Sequence, residues 1–161
     1  MGQVLCFGCG CSLDEGDHFR HLTEACAPCL NSLVFASGIS LSVYLESRPH
    51  PAALLAHDHT VLFANSLFRG LKLDRDVVGL RVGEVIDCMY STALGRCGQT
   101  EVCILCSLRR AVEHTWRTSE GLRGVPMTYP SNAAMRKSVA ITTEKLGDAV
   151  LVILADLSVT T

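Results

Sequence analysis

The chain has 161 residues, 48% of them hydrophobic and 19% charged, which is enough apolar material for a core and too regular a balance for a disordered chain. That length admits one ordinary domain with a small appendage and excludes a multidomain enzyme. Lys+Arg 14 against Asp+Glu 16 leave a net charge of -2, so there is no basic field to hold nucleic acid.

Nine cysteines fall in two groups: Cys6, Cys9, Cys11, Cys26 and Cys29, then Cys88, Cys97, Cys103 and Cys106. An odd number cannot pair fully as disulfides within one chain. The opening MGQVLCFGCG lacks the basic leader and apolar run of a signal peptide, and position 6 is Cys where a myristoylation motif wants Ser or Thr. The longest apolar stretch, Leu30 to Leu45, is too short to cross a bilayer. The expectation is a soluble cytoplasmic protein that engages neither membrane nor nucleic acid. In that compartment clustered cysteines are more often metal ligands or redox groups than structural disulfides.

Residues 1–30 read as a zinc-knuckle-like four-cysteine element. Cys6-x2-Cys9 and Cys26-x2-Cys29 stand sixteen residues apart. Each CxxC turn presents two sulfurs on one side of a knuckle, and two knuckles across such a loop close a tetrahedral zinc site. A segment with so little core needs its metal to fold, and binding typically contributes ~10–16 kcal/mol. Cys11 is the spare thiol. His18 and His21 lie in the loop between the knuckles and read as solvated.

Residues 31–50 read as a connecting helix, with Leu30, Val34, Leu41 and Leu45 roughly on one side, ended by Pro49 and Pro51. The domain boundary is expected there. Residues 51–161 change pattern. AALLA and TVLFAN, separated by His57-Asp58-His59, read as a hairpin with a polar, exposed turn. Short helices are expected at 65–72 and at Leu80 to Ile86. Thr100 is a candidate N-cap for a long helix from Glu101 to about Arg117, with Val102, Leu105, Leu108 and Val112 as its apolar face. Three strands close the chain, Leu122–Tyr129, Arg136–Thr143 and Ala149–Leu157, with a turn at Lys145-Leu146-Gly147-Asp148 between the last two.

That order resembles a PAS domain, a sensory fold with a five-stranded antiparallel sheet and helices across one face. AHDHTVLFAN is similar to the opening hairpin that ends in an asparagine, here Asn65. DVVGLRVGEVI resembles the glycine-containing segment before the central helices, here Gly79 and Gly83. AVLVILADLS resembles the last strand with its closing acidic residue, Asp156. The usual glycine of the first turn is absent, and His59 and Thr60 stand in its place. The resemblance implies an α+β fold, a sensing cavity beside the long helix, and dimerisation.

The second cysteine group is Cys88-x8-Cys97-x5-Cys103-x2-Cys106. On one predicted helix, Cys103 and Cys106 share a face near its N-terminus, where partial positive charge and free N–H groups stabilise thiolates. Arg96, Arg109 and Arg110 add positive charge, and Gly95 and Gly98 let the loop fold back. Four such thiols suit structural zinc, a [4Fe-4S] cluster, a Cys103/Cys106 redox pair or plain apolar packing. The stretch from Gly95 to Cys106 is similar to a segment of some bacterial PAS-containing signalling proteins, in which CG-x4-C-x2-C precedes the long helix.

His114 reads as solvated and Trp116 as packing, and neither a nucleophile elbow nor a P-loop is present. No enzyme is expected, because both four-cysteine sites look closed. The expected protein is a cytoplasmic signalling module. Its PAS domain senses redox state, a metal or a small ligand through Cys88, Cys97, Cys103 and Cys106. It acts as a homodimer and relays to another signalling protein, a kinase or regulator. The competing expectation is a non-sensing interaction adaptor with two structural zinc sites.

Overall fold

A computed structural model describes residues 41–93, 96–132 and 136–156. Cys6, Cys9, Cys11, Cys26, Cys29, His18 and His21 lie outside the described residues, so the predicted zinc element does too. The chain divides into two compact units between Pro49 and His50. In the first, helix α1 (Leu41–Glu46) buries Leu41 and Leu45, four residues apart and therefore stacked on one side of the helix.

In the second unit, the apolar runs on either side of the His57–His59 turn form strands β1 (Ala52–Leu55) and β2 (Val61–Ala64). Short helices α2 (Ser66–Arg69), α3 (Val82–Val85) and α4 (Met89–Ala93) come next. After a 3₁₀ turn at Glu101–Leu105 comes the longest helix, α5 (Ser107–Thr118). Strands β3 (Val125–Tyr129), β4 (Lys137–Leu146) and β5 (Ala149–Asp156) close the domain. The sheet runs β2-β1-β5-β4-β3, and every neighbouring pair is antiparallel. This is the five-stranded α+β architecture that the PAS resemblance implies.

The core lies between one sheet face and the helices. Side chains alternate along a strand, so Ala53 with Leu55, Met127 with Tyr129, Val139 with Ile141, and Val150, Val152 and Leu154 all face the same way. Against them pack Phe68, Val82, Val85, Leu108, Ala111 and Val112 from the helices. Full burial of a side chain such as Phe68 or Leu108 contributes roughly 1.5–3 kcal/mol. Asn65 fastens the first hairpin to α2. Its Oδ1 accepts from Phe68 N at 2.9 Å and Ala52 N at 3.0 Å, and its Nδ2 donates to the His50 carbonyl at 3.0 Å. An asparagine there caps α2 and closes β1 at once.

Three expectations need correction. The long helix does not begin at Glu101. Residues Glu101–Leu105 form a separate 3₁₀ turn, the Cys106 backbone is extended (φ -65°, ψ 121°), and α5 starts at Ser107. Val102 and Leu105 therefore leave the apolar face, at 37% and 76% exposed, and the buried face is Leu108, Ala111, Val112 and Thr115. The tighter 3₁₀ winding does not continue an i, i+3, i+4 stripe. Second, His59 is buried rather than exposed in its turn. Third, β3 starts later than expected and β4 ends later, so the closing turn narrows to Gly147-Asp148.

Candidate functional site

Four cysteines from four segments meet on the wall of one cavity of about 310 Å³ between α5, α3 and β3. Cys88 precedes α4, Cys97 lies in the loop after it, Cys103 sits in the 3₁₀ turn, and Cys106 is the N-cap of α5. All four are free thiols and half-buried. The sequence expectation that Cys103 and Cys106 share one helix face does not hold. They converge because the chain breaks between them, with Cys106 N–H donating to the Cys103 carbonyl at 3.2 Å.

Each thiol is positioned by backbone and polar neighbours. Cys88 N–H donates to the Gly83 carbonyl at 2.9 Å, while Ser91 Oγ donates to the carbonyls of Cys88 at 2.7 Å and Gly83 at 3.1 Å. Cys88 also bridges to Ser131, tying it to the end of β3. The Cys97 carbonyl accepts from the Arg81 guanidinium at 2.6 Å. Glu84 accepts from Arg81 N–H at 2.9 Å and from Arg96 Nε at 3.2 Å, which stitches the Cys97 loop to α3. A Cβ on Gly83 would stand 2.6 Å from Cys97 Sγ, so only glycine lets this loop pack so closely.

Cys103 is the most strongly solvated by protein dipoles. Its Sγ lies 3.3 Å from Gly98 N–H and 3.0 Å from Thr100 Oγ1. Gly98 adopts φ 85°, and its carbonyl accepts from Arg109 at 3.3 Å. The hydroxyl of Thr100, the expected helix cap, serves the thiol instead. Burial pushes the Cys103 thiol up, but the Thr100 and Gly98 hydrogen bonds and the Arg109 charge outweigh it and leave it below the ordinary value. Burial dominates at Cys97, which is pushed up to about 11, and it also raises Cys88; in both cases the neighbouring thiols add to the rise. Four thiolates here would repel one another without a cation among them.

Of the predicted arginines, Arg109 lines this cavity, Arg96 pairs with Glu84, and Arg110 faces a different cleft. Cys106 stands at the N-terminus of the 12-residue helix α5, whose dipole favours negative charge there. Gly95 lies outside the described residues. His114 is half-buried and pairs with Glu120 at 3.7 Å, outside the cysteine-lined cavity. Trp116 packs under Lys145, whose Nζ lies 4.1 Å from the ring centroid, and takes no place among the cysteines.

Sequence reading missed two polar residues of the wall. His59 is 7% exposed, adopts φ 71°, and its buried Nε2 has no hydrogen-bond partner. Burial lowers its pKa, with the Arg109 charge adding to the effect, while hydrogen bonds that the charged ring would make to the Arg109 and Asp58 backbone oppose it. Tyr129 is 8% exposed, and burial first, then the Cys88, Asp156 and Asp87 charges, pushes its phenol up to about 12. The missing turn glycine was the signal for His59. For Tyr129 the strand alternation placed the residue inward without showing that a cavity lay there.

Among the described residues, no three His, Cys, Asp or Glu side chains close on a point in the manner of a single-ion site. The thiols line the wall of a space larger than one ion needs. The donor set is purely thiol and partly buried, with backbone N–H groups acting on Cys88, Cys97 and Cys103 and the Thr100 hydroxyl beside Cys103.

No protein-family model and no curated protein matches the chain. Some solved structures are similar at low identity. The LOV protein of Rhodobacter sphaeroides aligns over 72% of this chain and 64% of its own, at 12% identity and a TM-score of 0.49. A PAS domain of an HTR-like protein from Haloarcula marismortui aligns over 73% and 94%, at 18% and 0.46. The photoactive yellow protein domain of the sensor histidine kinase Ppr from Rhodospirillum centenum aligns over 74% and 96%, at 11% and 0.44. The chain thus spans less than two thirds of the LOV protein. Among the described residues no helix is long and apolar enough to cross a membrane. Its strand order and one-sided helices make the second unit a PAS-like α+β domain.

Proposed function

We propose that this chain is a sensory module whose cavity holds a [4Fe-4S] cluster through Cys88, Cys97, Cys103 and Cys106. The observation that carries the reading is the convergence of four cysteines, from four separate segments, on one cavity wall. A tetrahedral zinc draws its sulfurs to ~2.3 Å from a single point, whereas a cluster offers one metal to each of four thiolates spread around it. Among the described residues no three of these side chains close on a single point, which favours the cluster over one zinc ion. When bound, such a group supplies redox chemistry that oxidants can reach.

The chain's own residues supply the relay. Cys106 caps α5 and Cys103 lies in the 3₁₀ turn just before it, so a change in their spacing acts on that helix end. The far end is fixed to the sheet: Thr115 and Thr143 hydroxyls lie 2.6 Å apart in the core, and Thr143 also accepts from Leu122 N–H at 3.0 Å. The helix therefore pivots against β4 and alters the surface offered to a partner signalling protein. The module works as a homodimer, and Cys6, Cys9, Cys26 and Cys29 form a separate zinc element on the strength of their spacing.

The test is metal analysis of the full chain purified without oxygen, beside Cys103→Ser and Cys106→Ser. The parent is expected to be brown and the variants to lose both colour and iron while keeping the zinc of the N-terminal quartet. A colourless parent with two zinc ions per chain would instead establish the structural adaptor.

A further inference from the structure

We infer that His59 donates a hydrogen bond from its imidazole to the group held in the cysteine-lined cavity, an assignment that rests on the proposed reading of that cavity. Three observations point to it. His59 occupies a left-handed backbone position (φ 71°) that glycine fills without strain. It is only 7% exposed, and its Nε2 has no hydrogen-bond partner. The same side chain lines the cavity that carries Cys88, Cys97, Cys103 and Cys106.

A histidine that merely packed would not combine these features. The turn itself does not need an imidazole. His59 N–H donates to the Ala56 carbonyl at 2.9 Å and its own carbonyl accepts from Val82 N–H at 3.1 Å, and both bonds are backbone bonds that any residue supplies. Strain and an orphaned buried nitrogen are each unfavourable, and both fall on one side chain at the edge of a site. Strained positions that persist in this way cluster where a ligand is gripped, and a buried unpaired polar group calls for a partner the protein alone does not supply.

The chemistry fits a sulfur acceptor. A neutral imidazole protonated at Nε2 has its one N–H to give there, and metal-bound thiolate or sulfide takes it. Arg109 approaches both His59 and Cys103, so the wall between them is already cationic and suits an anionic group. Hydrogen bonds to the sulfurs of a cluster are among the features that set its reduction potential. Donation stabilises the more negative, reduced state, so His59 raises the potential.

The experiment compares the full chain, loaded with iron and sulfide under anaerobic conditions, with His59→Leu and His59→Gln. Both replacements retain a β-carbon at the left-handed position, and only the second retains an N–H donor near the reach of Nε2. His59→Leu is expected to bind iron as the parent does, shift the potential to more negative values, and lose iron several-fold faster on exposure to air. His59→Gln is expected to stay close to the parent in both. Should the leucine variant fail to fold, His59→Gly, which suits the backbone, gives the same potential shift. Unchanged potential and iron loss in every His59 variant would overturn the inference and leave the cluster reading standing. A parent that takes up no iron, or a Cys103→Ser chain that takes up as much as the parent, would overturn the cluster reading and the inference with it.

Discussion

Cys97 and Cys103 share one cavity wall, yet their thiols are displaced in opposite directions. Burial pushes Cys97 up to about 11, whereas at Cys103 burial is outweighed by the Thr100 and Gly98 hydrogen bonds and the Arg109 charge. In protein stripped of metal, iodoacetamide at neutral pH is expected to modify Cys103 well before Cys97, as read by peptide mass mapping; equal rates would contradict the assigned environments. The two thiols also give opposite pH dependences. The raised thiol of Cys97 favours the folded state fully below its ordinary value of 9.0, and that contribution is lost as pH climbs toward 11. The lowered thiol of Cys103 contributes above the ordinary value and loses its contribution as pH falls through its folded value. Stability of the stripped chain is therefore expected to decline between pH 9 and 11, and Cys97→Ala should flatten that decline. His59 belongs to the same scale. Its φ of 71° costs about 1–2 kcal/mol and its unpaired nitrogen about 1–3 kcal/mol. His59→Gly in stripped protein is thus expected to leave the melting temperature level or higher. A fall equivalent to about 3 kcal/mol or more would mark His59 as a packing residue.

Among the elements, the informative place is the break at Cys106. The sequence carries an apolar helical pattern from Glu101 to Arg117 and no Gly or Pro marks a stop, although Val102, Cys103, Ile104, Cys106 and Ser107 are weaker helix formers. What interrupts it is tertiary. Cys103 is drawn to the Gly98 N–H and Thr100, and Cys106 takes an extended backbone so that α5 starts afresh. Local propensity is too weak to resist contacts of that kind. The consequence is measurable. Leu108→Ala, within the buried face of α5, is expected to cost about 2–4 kcal/mol, and Leu105→Ala less than about 0.5 kcal/mol, by denaturant unfolding. A continuous helix from Glu101 would make the two costs similar. By contrast, the strands were legible from alternation, because Val139 with Ile141 and Val150 with Val152 repeat at period two against one core. Asn65 was legible as the end of the hairpin, although its triple hydrogen bonding was not.

Across the whole molecule, the spacing of the second cysteine group looks irregular in sequence, since only Cys103 and Cys106 form a CxxC. The fold explains the irregularity. Cys88 precedes α4, Cys97 lies in the loop after it, and Cys103 and Cys106 lie in and just after the 3₁₀ turn, yet all four line one cavity. Which residues gather was readable from the cysteines themselves; the polar wall of His59 and Tyr129 was not, because it depends on a turn strained in three dimensions and on a strand end far along the chain. The architecture puts this cavity at the start of the helix that is pinned to β4 by Thr115 and Thr143. A cluster-holding cavity stands or falls on iron and acid-labile sulfide per chain in full-length protein purified without oxygen. About four of each per chain are expected, with both lost when Cys88, Cys97, Cys103 and Cys106 are replaced by serine. Iron-free protein, or iron content indifferent to those four substitutions, would contradict it.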